Sequence, residues 1–538
     1  MTIFSAQTPL DHLIGQTFMV GFHGTTPSPE MIDLIQNHHI GGVILFSRNI
    51  ESPHQLLALT HDLQQAAKEA GHPYPLLIAT DQENGLVRRL GSGSTIFPGN
   101  MALGAIDSEQ LTYDVAQATG EELRALGVNM NLAPVVDVNN NPANPVIGIR
   151  SFGENPRMVA RLGAAALRGY HAAGIIATLK HFPGHGDTAT DSHRALPVIS
   201  ASRERLDALE LVPFQMGIEA GADCVMIGHV ALPALIPGDP VPATISPDII
   251  QGLLRERLGF SGVAISDCFE MDAIATTIGA PRASVLALRA GTDIVLVSHR
   301  IQVQRASIAA VRAAVASGEL TLDAFRQAAE RIMRLKQRYL AWDNLPTTDA
   351  LTIVGSRPHA ALRDQAYAAS TTLVRDKASL LPLHISADEP LAIIVQPPDA
   401  INDAVDIAFE PSSLLDAIRH EHPNTSLVTL APHPTTEQID ATLRIAGAAR
   451  AVLLVTLNAH RRPEQLGIMR RIAGVGRPTI GIAVCDPYDA CVLPEIGTFL
   501  ATYEYSEPAL AAAVNVIFGR AQAQGRLPVT CADSNNPY

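Results

Sequence analysis

Eight short apolar runs, each closed by a turn or polar residue and separated from the next by a helical pattern, constrain this chain more than any other feature. They are TFMVGF (17–22), GGVILF (41–46), PLLIAT (75–80), VNMNLAPVV (128–136), GIIATL (174–179), DCVMIG (223–228), GVAIS (262–266) and DIVLVS (293–298). A strand that is apolar along its whole length is covered on both faces, as in a parallel sheet flanked by helices. Eight such units in succession predict a closed (β/α)8 barrel of the TIM type. Between the last two runs, MDAIATTIGAPRASVLALRAG is Ala- and Leu-rich and predicts a helix whose only interruption is Pro281.

The residues that follow the runs carry more information than the runs themselves. Asp81, Asp137, Lys180 with His181, His229, Asp267 and His299 stand at the ends of six different strands. Parallel strands of a barrel all end on one face, so these titratable groups are expected to converge at a catalytic mouth.

With 538 residues the chain exceeds one ordinary domain. After about residue 320 the pattern changes: TLDAFRQAAERIMRLKQRYL reads as an amphipathic helix, and the stretch that follows it reads as linker. A second series then appears, LAIIVQ (391–396), SLVTLAP (426–432), AVLLVTL (451–457), TIGIAV (479–484) and FLATYEY (499–505), interleaved with helical segments. The expected organisation is α/β throughout: a barrel over 1–340, a linker over 341–375, and a smaller doubly wound α/β sandwich over 376–538. The second strand series ends in scattered polar residues, Asn458, His460 and Asp486, which suits a scaffolding or dimerisation domain.

Composition narrows the function. A net charge of -14 offers no basic surface for a phosphate backbone, so a small neutral partner is expected and nucleic acid is not. The five cysteines, Cys224, Cys268, Cys485, Cys491 and Cys531, form no CxxC pair and read as free thiols in a reducing compartment. Neither a signal-peptide pattern nor an apolar stretch long enough to span a bilayer stands out, and the expectation is a cytoplasmic protein, monomer or homodimer, with no membrane partner.

One loop concentrates the chemistry. Lys180 to Pro197 reads KHFPGHGDTATDSHRALP, with three histidines and two aspartates directly after the fifth run. As a metal site, His181, His185, Asp187, Asp191 and His193 are suitable ligand types, but Pro183 and the short turns prevent a helical i, i+4 arrangement. As a phosphate cradle the segment lacks GK[ST]. Asp191-Ser-His193 offers a third reading: a carboxylate two residues from an imidazole can orient it and stabilise its charged form, giving a proton donor and acceptor near neutral pH.

That loop, together with DQENGLVRRL (81–90), NLAPVVDV (131–138), IRSFG (149–153) and GVAISDCFEMDAI (262–274), resembles the β-N-acetylglucosaminidases of glycoside hydrolase family 3. The resemblance covers the barrel and extends into the second domain through LVRDKASLLPL and ATYEYSEPALAAAVNVIFG. It implies Asp267 as nucleophile and His193, oriented by Asp191, as general acid/base. It also implies that Asp81, Arg89, Arg150, Lys180 and His181 bind the hydroxyls and acetamido group of a terminal sugar, with neither cofactor nor metal. Where many bacterial relatives read DQEGGRV this chain has DQENGLV, which singles out Asn84 and Leu86.

The implied reaction is retaining exo-hydrolysis of N-acetylglucosamine from oligosaccharides or muropeptides through a covalent glycosyl-enzyme. Because an imidazole does not repel an anion, phosphate could replace water as acceptor and make the enzyme a phosphorylase. A sugar-binding protein without catalysis is a further alternative, though binding alone would not call for both a carboxylate and a His-Asp pair.

Overall fold

The computed structural model describes residues 9–188, 191–192, 195–397, 401, 404–405 and 407–531. Eight parallel strands close into a barrel: β1 (Phe18–Val20), β2 (Gly42–Leu45), β3 (Leu77–Thr80), β4 (Met130–Asn131), β5 (Ile176–Phe182), β6 (Cys224–Ile227), β7 (Val263–Cys268) and β8 (Ile294–Val297). Closure comes from β1 pairing with β8, Met19 opposite Leu296. Every one of the eight apolar runs supplies one of these strands.

Alternation explains why the runs are apolar without a break. Met19, Ile44, Leu77, Met130, Ile176, Met226, Ile265 and Leu296 point inward and pack together as the barrel's own core. Their neighbours Val20, Val43, Ile78, Ala177, Val225, Ala264 and Val295 face outward under the helices. A side chain on either face leaves water completely, each large aliphatic one contributing roughly 1.5–3 kcal/mol.

The helix expected between the last two runs is two helices, Asp272–Ala275 and Ala280–Ala290. Pro281 lies in the first turn of the second, where its missing N–H is not needed, and Gly279 at φ 79° makes the bend between them. The helix Leu322–Tyr339 runs beneath the barrel and buries Ile332, Met333 and Leu335 against the inward-facing strand residues.

Within the stretch read as linker, Arg357–Ser370 is a helix, and β9 (Thr372–Asp376) is already part of the second sheet. That sheet continues with β10 (Leu391–Val395), β11 (Thr425–Thr429), β12 (Ala451–Thr456), β13 (Thr479–Ala483) and β14 (Thr498–Ala501). The strand order is β11-β10-β12-β13-β14-β9, parallel except for β9, which pairs antiparallel with β14. Five parallel strands in this order form the doubly wound layer expected from the second series.

Cys491 and Cys531 are joined in a disulfide with Cα atoms 5.3 Å apart, which corrects the reading of five free thiols. Only Cys224, Cys268 and Cys485 remain as thiols, all buried. The chain tail runs back past the barrel residues Ala105 and Glu154 to meet Cys491, a contact that sequence spacing does not announce, and the premise for a reducing compartment goes with it. Among the described residues no helix is long and apolar enough to cross a membrane.

The two domains meet at the C-terminal ends of the barrel strands. Leu86 is buried in the same apolar cluster as Leu453, Ile482 and Leu500 of the second sheet, so the position that departs from DQEGGRV serves this junction. Asn84 has φ 69°, a left-handed conformation that glycine adopts freely and asparagine tolerates better than most residues. Its side-chain amide donates to Thr119 at 3.0 Å.

Candidate active site

A cavity of about 360 Å³ opens at the mouth of the barrel, near the lower end of the size usual for ligand pockets. Asp81, Arg89, Arg150, Lys180, His181 and Asp267 all line it. Six of the residues singled out from the sequence are thereby brought to one place. Asp191 is buried beside this cavity, whose wall includes its neighbour Ser192. His193 lies outside the described residues. His229, one of the polar strand ends, is fully buried instead, bonded to Thr244 and to the carbonyl of Cys268.

Asp81 directly follows β3, Lys180 and His181 sit in β5, and Asp267 sits near the end of β7, where the amide of Cys268 donates to its Oδ1 at 2.7 Å. The Lys180 and His181 residues are joined by a cis peptide. Arg150 comes from the short turn Gly148–Arg150 after β4, and the side chain of Asn100 holds its carbonyl at 2.7 Å.

The charged groups form a connected set. Lys180 Nζ lies 2.7 Å from both Asp81 and Glu83, and the guanidinium of Arg150 grips Glu83 with two bonds of 2.8 Å. Burial alone would raise the Glu83 carboxyl, but the Arg150 and Lys180 cations outweigh it and hold it well below the ordinary carboxylate range. Burial likewise opposes the charge on Lys180, and Asp81 with Glu83 more than offsets it, so its ammonium is kept. A buried charge is retained here because its partners are retained.

A second chain of bonds fixes the histidines. Asp137, fully buried, accepts from His181 Nδ1 at 2.7 Å and from the amide of His185 at 2.7 Å. His181 Nε2 faces Arg150 Nη2 at 3.3 Å, and a guanidinium can only donate. The geometry therefore places the His181 proton on Nδ1 and leaves Nε2 as an acceptor. Burial and the adjacent His181 push His185 down to about 4, so its ring stays neutral near pH 7. His185 bonds to Thr188 at 2.9 Å and to Ser192 at 3.0 Å, which ties the two ends of the loop together.

Glu83 and Arg48 line the cavity without having been singled out from the sequence, His185, weighed there only as a metal ligand, lines it too, and Ala404 reaches it from the second domain. Glu83 had a signal: two residues beyond Asp81, it has the same parity. Asp137 was visible as a strand end, and the structure gives it a supporting place beneath His181.

Such a cavity offers three carboxylates, Asp81, Glu83 and Asp267, among fixed cations and hydrogen-bonding groups, with a histidine-bearing loop at its rim. In chemical class this is a carboxylate-bearing barrel mouth lined for a polar ligand. Residues 9 to 335 match the model of the glycosyl hydrolase family 3 N-terminal domain, and the chain belongs to that family. Over its length it is 32% identical to a β-hexosaminidase A from Pseudoalteromonas piscicida, covering 98% of each. A solved β-N-acetylglucosaminidase of the same family from Paenibacillus sp. is 37% identical with a TM-score of 0.90, covering 98% of this chain and all of that one. A fungal multi-domain β-N-acetylglucosaminidase is 41% identical with a TM-score of 0.92. The present chain spans 61% of the length of that fungal protein, and 97% of this chain is covered.

Proposed function

We propose that this protein is a retaining exo-β-N-acetylglucosaminidase that removes terminal non-reducing N-acetylglucosamine from oligosaccharides or muropeptides. The observation that carries the reading is the placement of Asp267 in one cavity with Asp81, Arg89, Arg150, Lys180 and His181. The names borne by its relatives in Pseudoalteromonas and Paenibacillus support it.

In this reading Asp81, Lys180, Arg150, Arg89 and His181 grip the sugar's hydroxyls and acetamido group. Because these groups already hold one another, little reorganisation accompanies binding. Asp267 attacks the anomeric carbon while His193, oriented by Asp191, protonates the departing oxygen. Water deprotonated by the same histidine then releases the sugar with retained configuration. His185, neutral and committed to Thr188 and Ser192, supports the loop and is not the proton donor. The partner is a small carbohydrate, with neither nucleic acid nor membrane involved, and the chain acts as a monomer or homodimer.

A panel of p-nitrophenyl β-glycosides, followed by NMR with and without tens of millimolar phosphate, tests the reading. The N-acetylglucosaminide should be preferred, and the first-formed product should be the β-anomer of the free sugar. An α-anomer would exclude the retaining mechanism. Predominant sugar 1-phosphate, with turnover rising with phosphate, would make phosphate the acceptor.

A further inference from the structure

The segment Asn139-Asn-Asn-Pro-Ala-Asn144 follows the fourth barrel strand and takes no part in the reaction as described. Its asparagines occupy the space between the second domain and the loop that leads to Asp191. On one side, Asn144 donates from its side-chain amide to the carbonyls of His185 at 2.9 Å and Gly186 at 2.8 Å, and to Thr188 at 3.3 Å. Its Oδ1 accepts from the amides of Val146 and Ile147, both at 2.9 Å, and the carbonyl of Val146 in turn accepts from Arg150 at 3.1 Å. Asn141 reaches Asp187 at 3.3 Å.

On the other side stand three side chains of the second domain. Arg461 donates to the carbonyl of Asn144 at 2.5 Å and pairs with the buried carboxylate of Asp486. His460 meets the carbonyl of Pro142 at 3.2 Å, and the Tyr488 hydroxyl accepts from Asn139 at 3.1 Å. These groups sit at the C-terminal ends of β12 and β13, the edge of a doubly wound sheet where ligands usually bind. Here a segment of the barrel occupies that edge.

We infer that the asparagine segment is a bracket through which the second domain sets the position of the acid/base loop, and that Arg461 is its positioning residue. The inference rests on the reading of His193 as acid/base. The path is continuous: Arg461 holds Asn144, Asn144 holds residues 185 to 188, and His185 holds Ser192, which lies between Asp191 and His193 in sequence. A displacement of about 1 Å at a catalytic group far from the altered residue is enough to cost on the order of 100-fold in rate.

The test compares chitobiose, whose leaving group needs a proton, with a dinitrophenyl N-acetylglucosaminide, whose leaving group does not. In the full-length protein, Arg461→Ala should lower kcat on chitobiose by roughly 10- to 100-fold with KM nearly unchanged. The burst of dinitrophenol should persist, and Arg461→Lys should recover part of the loss. Glu154→Ala, which removes a contact of the same domain junction at Thr530, should leave the ratio of the two rates where it is in the wild type. If Arg461→Ala does not fold, Asn144→Ala carries the test from the barrel side. Equal loss on both substrates would overturn the inference, because misfolding or poorer binding slows them alike. His193→Ala serves as the reference: should it show no burst, the acid/base reading itself fails, and that result is separate from the behaviour of Arg461.

Discussion

Two lysines buried at opposite ends of the barrel meet different fates. Lys180, at the mouth, faces Asp81 and Glu83 and keeps its charge. Lys336, at the floor, meets the amide oxygen of Gln16 at 2.9 Å and no carboxylate among the described residues. Burial pushes it down to about 7. Both ammonium groups are removed from water, so desolvation is common to them and the counter-charges make the difference. The comparison separates a face built to hold charge for a ligand from a face where a charge only weakens the fold.

Variants of the groups that meet the sugar should therefore act on turnover, and variants of the buried support beneath them and of the floor on stability. Asp267→Ala should abolish nearly all turnover, by on the order of 10⁴-fold or more, with a thermal melt close to that of the wild type. A 5-fluoro glycosyl donor should label Asp267, and a label found on Asp81 or Asp137 would displace it as nucleophile. His193→Ala should slow unactivated glycosides by roughly 10² to 10⁴ while sparing the first step on activated ones, as pre-steady-state release of phenol would show.

Glu83→Gln probes the support beneath the sugar site. It leaves Arg150 and Lys180 with one buried carboxylate fewer, and a loss of about 3–5 kcal/mol in stability is expected from calorimetry. KM should rise by roughly tenfold, the equivalent of about 1.4 kcal/mol of binding. An unchanged KM would mean that Glu83 does not hold the sugar-binding groups in place.

The floor gives the smallest effect, and its sign depends on pH. The folded-state value for Lys336 lies below the ordinary 10.5, so between about pH 7 and 10.5 the unfolded chain binds more protons than the folded one. Stability attributable to this group rises with pH through that window and is lowest below it. Lys336→Met should raise Tm by a few degrees near neutral pH, and the gain should shrink as pH approaches 10. A gain that grew with pH would contradict the assignment, and turnover should be unaffected.

The barrel was legible because its strands are apolar on both faces, a pattern that survives in sequence without any knowledge of pairing. Strand β9 was not: TLVRD lies at a half-exposed edge, and Leu373 is 38% exposed, so it presents no apolar run. In the site, Asp81, Lys180 and Asp267 could be read because strand ends declare themselves by position. The supporting place of Asp137 could not be read, since its carboxylate acts on His181 and His185 more than 40 residues away. Arg461 was hidden for the same reason, its partner Asn144 being 317 residues distant along the chain.

The disulfide changes what the tail is. After the helix Glu507–Ile517 the chain runs back to the barrel, where the amide of Arg526 bonds to Ala105 and the carbonyl of Pro528 accepts from Glu154. Without Cys491–Cys531 this run would be a one-ended strand, free to peel from its seat at the cost of a few bonds. Fastened at residue 531, it becomes the closing arc of a covalent ring, and a segment tethered at both ends meets its seat at a high effective concentration. A protease cutting between the exposed Gln522 and Gln524 would then leave both pieces of chain together, to separate on a denaturing gel only once a thiol reductant is added.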